Sequence, residues 1–323
     1  MTRSFEPLPR DRDRDGQPRC TGVEIEFSGL EAEDVAAIAV DRLGGQAEQV
    51  DSHAWQIKDS RIGRLDIYLD TALRHAENSV LKRIGLDLGK EVIPVEIVTQ
   101  PLDRDALTAL DGLRAALREA GAQGTRAGMT YGFGVHLNPS IASRDAEGIT
   151  NPLLAYALIE PWMRETQPID LSRRVLPFTD PYPTRLVAAL CDAGPVSPEE
   201  AAEIYLTHAK SRNYGLDMLP IFAWMDEDRV VLALGEGSGV SARPAFHFRL
   251  PDCRIDEEDW SLAHEWGRWR LVEQVAADTA LLKQMAEDWK RMHGSVVLRR
   301  APWAEHCGAL MAGAGLIKER SVA

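Results

Sequence analysis

The stretch GVEIEF at residues 22–27 constrains the fold more than any other. Val23, Ile25 and Phe27 alternate with Gly22, Glu24 and Glu26, a period of two that a strand sorts onto opposite faces and a helix cannot. One face is apolar and requires a core; the other carries two carboxylates roughly 6.5–7 Å apart, close enough to flank one cation or to serve two. The alternation returns in PVEIVTQP with Glu96 and in GFGVHLNP with His136. Singly, each acid is explained by a solvated sheet face and the histidine by structural hydrogen bonding. Together they make a candidate metal site, because clustered carboxylates raise one another's pKa unless a cation neutralises them.

The rest of the chain gives the sheet its company. LEAEDVAAIAVDRLGG carries Val35, Ile38, Ala39 and Leu43 at helical spacing before a Gly-Gly stop. HAWQIKDS and GRLDIYLD read as short strands. LDRDALTALDGLRAALREAG puts Leu107, Leu110, Leu113 and Leu117 on one helical face. NPLLAYALIEPWMRE opens a helix on Pro152, and SPEEAAEIYLTHAKSR starts one with Ser197, Pro198 and Glu200 as cap, first-turn proline and capping box. ARPAFHFRLPD reads as a late strand, and residues 259–292 as a long helical tract. Strand, helix, several strands and then helices predict an α+β fold on an antiparallel sheet rather than a doubly wound parallel one. Residues 1–19, highly charged and carrying three prolines, are expected as a solvated, disordered arm, 20–300 as the catalytic domain and 301–323 as a C-terminal tail.

Composition narrows the function. A net charge of −13 over 323 residues disfavours a general binder of the phosphate backbone, so no nucleic-acid partner is expected. Cys20, Cys191, Cys253 and Cys307 form no CxxC pair and read as reduced thiols. No apolar run approaches membrane-spanning length and no leader opens the chain, so neither a membrane partner nor export is expected, and a cytoplasmic location is. GLDLGKE at 85–91 fails as a phosphate loop, because three residues rather than four separate its glycines and Glu91 replaces Ser or Thr; GEGSG at 235–239 reads as a loop. Trp260, Trp266 and Trp269 are expected to dock a helix on the core, and the arginine pairs of LSRRV and VVLRRAPW to be solvated.

In order, GVEIEF, PVEIVTQPL and GFGVHLNP resemble the amidoligase family of the glutamine synthetase and glutamate–cysteine ligase superfamily, over roughly residues 20–250. That resemblance implies a glutamine-synthetase-like half-barrel antiparallel sheet, with helices on its convex face, that holds ATP through Mg²⁺ or Mn²⁺. Glu24, Glu26, Glu96 and His136 are its implied metal ligands. AWQIKDS is similar to a segment that places Lys58, Asp59 and Ser60 beside nucleotide or acceptor; amide formation needs an acceptor for the amine's proton, and Asp59 is the candidate. SRNYGLD resembles one that brings Arg212 and Tyr214 to the site, with Asp217 near the family's usual asparagine. RPAFHFRLPD resembles a strand whose arginine, here Arg249, contacts phosphate, with Arg243 a further candidate; His247 stands where that strand has a metal-binding glutamate. The replacement leaves a rewired site, an altered metal preference or an inactive homologue all open.

The activity so implied is ATP-dependent joining of a small-molecule or peptide carboxylate to an amine through an acyl phosphate. A phosphotransferase on the same fold and an inactive nucleotide or metabolite binder are the alternatives. Substrate pockets are expected in the loops at 61–92, 140–150 and 166–196. The choice between single chain and homo-oligomer is open.

Overall fold

The structure, a computed structural model, describes residues 4–69, 93–127, 132–175, 179–235, 237, 239–293 and 300–318. The failed phosphate loop at 85–91, most of the 61–92 pocket region and the start of VVLRRAPW lie outside them.

Strands β1 (Thr21–Phe27), β2 (Gln46–Asp51), β3 (Ala54–Ser60), β4 (Gly63–Leu69), β5 (Val95–Thr99), β6 (Val135–Pro139), β7 (Leu216–Asp217) and β8 (His247–Phe248) form one sheet. Its order is β2-β3-β4-β5-β1-β6-β8-β7, with antiparallel pairing throughout. The fold is therefore mixed α/β on an antiparallel sheet. β1, the acidic strand, lies in the interior of the sheet, with Glu26 opposite Glu96 of β5 and Glu24 opposite His136 of β6. The predicted alternation holds: Val23, Ile25, Phe27, Ile97, Val135 and Leu137 are buried in the core, while the carboxylates and His136 share the other face. The late strand is shorter than ARPAFHFRLPD suggests, since only His247 and Phe248 pair as β8. β2 carries no sequence signal, because all six of its residues, QAEQVD, are exposed.

Helices α1 (Ala32–Leu43) and α2 (Arg104–Glu119) contact each other, and α1 also lies against β3 and β4. Gly44 (φ 71°) closes α1, as the Gly-Gly stop requires. The helical half consists of α3 (Asn151–Thr166), α4 (Leu171–Val175), α5 (Thr184–Ala193), α6 (Pro198–His208), α7 (Leu219–Met225), α8 (Glu227–Leu234), α9 (Leu262–Ala277), α10 (Thr279–His293) and α11 (Arg300–Gly313). α6 starts with the expected capping box. The tract at 259–292 is two helices, broken at Asp278. Trp260, Trp266 and Trp269 are buried, and their indole N–H groups donate to Glu265, the Glu6 carbonyl and Glu273. No helix among the described residues is long and apolar enough to cross a membrane.

Both ends of the chain depart from expectation. Residues 4–19 are exposed for most of their length but are tied down rather than disordered: Phe5 and Leu8 are buried, Phe5 packs on Trp266 at 6.1 Å, and Arg270 donates to the Pro7 carbonyl. Arg19, itself buried, makes a two-pronged pair at 2.7 Å with buried Glu273. Residues 300–313 are a helix rather than a tail. Trp303, Cys307 and Met311 are fully buried, and the Trp303 indole donates to the Leu158 carbonyl at 2.7 Å. Pro161 sits inside α3 and has no N–H for the Ala157 carbonyl one turn back, so α3 lacks one of its own bonds next to the Leu158 carbonyl that Trp303 engages.

Candidate metal centre

Sheet register assembles the centre. The Glu24 carboxylate divides its oxygens: Oε1 accepts from Asn138 Nδ2 at 2.8 Å and lies 3.8 Å from Arg243 Nη2, while Oε2 lies 2.6 Å from His136 Nδ1. Arg243 is held by donating to Asn138 Oδ1 at 2.9 Å. β8 brings in His247, whose ring meets that of His136 edge-on at 5.2 Å and whose Nε2 lies 4.0 Å from Glu24 Oε2. One ligand atom from each of Glu24, His136 and His247 falls within 4.8 Å of the others. Two residues along β1, Glu26 Oε2 accepts the Gly134 N–H at 2.6 Å, and its Oε1 is 3.8 Å from His136 Nε2. Glu26 and its cross-strand partner Glu96 are only 7% and 8% exposed.

His247 is 4% exposed. Its Nδ1 faces Asp217 Oδ2 at 3.3 Å across the β7–β8 pair, and among the described residues its Nε2 has no hydrogen-bond partner. Buried polar atoms are rarely left so. Asp217, fully buried, accepts the Leu219 N–H at 3.0 Å through Oδ1, and its Oδ2 lies 3.6 Å from Arg212 Nε. Donors around one divalent ion with bonds of about 2.1 Å stand roughly 3–3.5 Å apart, so the 4.0 Å gap needs only a small closure. An orphaned imidazole nitrogen facing a carboxylate fits a cation between them.

The electrostatics follow. Burial alone raises the Glu24 carboxyl, but the charge and hydrogen bond of His136, with His247 and Asn138, outweigh it and hold the group well below the carboxylate range. Burial pushes His247 down to about 4; Asp217 and Glu24 oppose that, while Arg249 and His136 add to it. Burial also lowers Arg249, against the carboxylates of Asp217 and Glu26.

The other candidate residues divide into two groups. Arg249 donates to the Arg212 carbonyl at 2.9 Å and Arg212 to the Gly239 carbonyl at 2.6 Å, so both stand beside His247 and Asp217. Tyr214 adjoins them in sequence but packs its ring on Tyr182 and Tyr205. Lys58, Asp59 and Ser60 are not brought to the centre. They end β3, three strands from β1 and so about 14 Å away across the sheet. There Lys58 pairs with Glu48 of β2, while the left-handed φ of 54° at Asp59 and the bond from Ser60 Oγ to the Gly63 carbonyl at 2.6 Å shape the β3–β4 turn.

Arg173, expected to be solvated, is 1% exposed. It donates to the carbonyls of Arg249, Leu250 and Pro251 and to Asp252, fixing the chain that leaves β8. A Cβ at Gly134 would stand 2.8 Å from Arg173 Nη2 and 3.2 Å from His136 Nε2, so only glycine lets this guanidinium in below the histidine. The glycine in GFGVHLNP was the available signal for that close approach. A cavity of 580 Å³ opens elsewhere, lined by Glu160, Arg164, Asp180, Tyr182 and Trp289 among others, and none of the candidate ligands borders it.

A family described as "putative amidoligase enzyme" matches residues 17–271, and the chain belongs to it. The protein is thus a member of a ligase-type enzyme family, as the order of its three strand motifs implies. Among curated proteins, none matches the chain.

Proposed function

We propose that the protein is an ATP-dependent carboxylate–amine ligase that forms an amide bond through an acyl phosphate. Its sheet would be the glutamine-synthetase-like half-barrel, with helices on the convex side. The observation that carries this reading is one sheet face on which β5, β1, β6 and β8 set Glu96, Glu26, Glu24, His136 and His247 side by side. These five residues hold divalent ions in this reading, and the ion that accompanies ATP is Mg²⁺ or Mn²⁺. Bound there, the ions supply charge neutralisation for the triphosphate and for phosphoryl transfer.

A carboxylate is a poor electrophile at neutral pH. Attack of its oxygen on the γ-phosphorus of ATP expels ADP and leaves an acyl phosphate; the amine then attacks the carbonyl, phosphate departs, and the nitrogen loses a proton. Arg249, just past β8, and Arg212, in the loop before β7, bind phosphate oxygens in this reading as charge shifts between them. Arg243, fixed by Asn138, guards the Glu24 side. Asp59, Lys58 and Ser60, on β3 three strands from β1, are given no step in this reading. Substrates are a small-molecule or peptide acid and an amine, and the site of action is the cytoplasm.

The test is release of ADP and phosphate with acid and amine supplied together. A phosphorylated product from one substrate alone indicates a phosphotransferase, and ATP binding without turnover an inactive binder. Glu26→Gln and His136→Ala are each expected to abolish metal-dependent ATP binding with an unchanged circular dichroism spectrum. Unaltered nucleotide affinity in both variants overturns the metal-floor assignment.

A further inference from the structure

We infer that the two ends of the acidic face are chemically different metal sites, and that the Glu24–His136–His247 end selects a borderline transition-metal ion of the Zn²⁺ or Co²⁺ type over Mg²⁺, with Asp217 as the positioning residue for His247. This rests on the reading of that face as a metal floor, and it goes further by assigning the class of ion to one end.

The donor sets differ. Glu26 and Glu96, opposite each other on β1 and β5, offer oxygen alone, which suits Mg²⁺. The other end offers two imidazoles and one carboxylate. Mg²⁺ gives up its water reluctantly and prefers oxygen, whereas imidazole suits the later first-row ions.

The wiring behind His247 is that of a ligand. With Nδ1 turned to the Asp217 carboxylate, the proton sits on Nδ1 and the Nε2 lone pair points at Glu24 Oε2. A histidine buried for structure alone would be expected to use both nitrogens, yet Nε2 has no hydrogen-bond partner among the described residues. Asp217 cannot swing away, because its other oxygen is bound to the Leu219 N–H and its side chain is fully buried. On Glu24, Asn138 and Arg243 occupy the side of Oε1, while Oε2 faces both histidines, 2.6 Å from His136 Nδ1 and 4.0 Å from His247 Nε2; a cation there takes the place of the proton that His136 and Glu24 share.

The experiment uses the full chain stripped of metal with a chelator and titrated with Co²⁺, whose visible absorption reports its ligands. One Co²⁺ per chain is expected to give the intense bands of a low-coordinate, imidazole-bound ion, and millimolar Mg²⁺ is not expected to displace it. His247→Glu should replace those bands by weak octahedral ones and let Mg²⁺ compete. Asp217→Asn, which keeps the shape of the side chain, should weaken Co²⁺ by about 10- to 100-fold and shift its bands. Three results overturn the inference: no Co²⁺ bound, Co²⁺ displaced by Mg²⁺ with wild-type ligands, or a spectrum indifferent to His247→Glu. A chain that binds Co²⁺ as described but never consumes ATP would instead sink the ligase reading and leave the metal assignment standing.

Discussion

His247 is buried between Asp217 and Glu24 with Arg249 close by, and the surroundings favour its neutral form. In metal-free protein this has a consequence for acid stability. Its folded pKa, about 4, lies below the ordinary 6.5, so on acidification the unfolded chain takes up a proton before the native one does. The associated stability is complete above pH 6.5 and drains away as pH falls towards 4, by roughly 3 kcal/mol at most. Glu24, held below its ordinary 4.5, adds a loss of the same sign at still lower pH. Urea midpoints measured between pH 7 and pH 4 should fall, and His247→Gln should flatten the upper part of that fall. Side chains with this much consequence were only partly legible in the sequence. Glu24, Glu26, Glu96 and His136 announce themselves because polar residues interrupt apolar alternation. The role of Asp217 depends on a two-residue pairing across thirty positions of chain, and nothing local encodes it. Arg173 looked like half of a solvated pair; its burial is set by the carbonyls leaving β8.

Among the elements, those with strong periodicity were readable and those stabilised only by neighbours were not. β1, β3, β4, β5 and β6 alternate, and α2 carries a leucine stripe with Asp103 capping its start. β2 exists because β3 offers a ladder, not because QAEQVD favours a strand. α11 reads as a tail in the sequence because its apolar residues do not form one stripe, and its worth lies in what it does for α3. Gly308 permits that approach, since a Cβ there would stand 2.9 Å from the Trp162 ring. Trp303→Ala removes both the buried ring and the donor to Leu158, and a loss of roughly 3–5 kcal/mol is expected in chemical denaturation. If α11 were a dispensable tail, the variant would unfold with the wild type.

At the scale of the whole molecule, the sheet and the helical half are joined by a few buried polar ties as well as by a continuous apolar core. Arg19, just before β1, and Glu273 in α9 are the clearest, both buried, with the indole of Trp269 donating to the same carboxylate. Arg19→Met strips Glu273 of its counter-charge while keeping most of the bulk, and should cost roughly 3–5 kcal/mol; the double variant with Glu273→Met should recover much of that in a double-mutant cycle. The sheet, meanwhile, ends on one side at β2, a strand exposed along its whole length. An open edge of this kind is an invitation to other chains, yet its six residues include Glu48 and Asp51 and only one large apolar side chain, Val50. A second copy pairing there would bring like charges together and gain little burial, so this rim works against fibre-like stacking and against dimers made by extending the sheet.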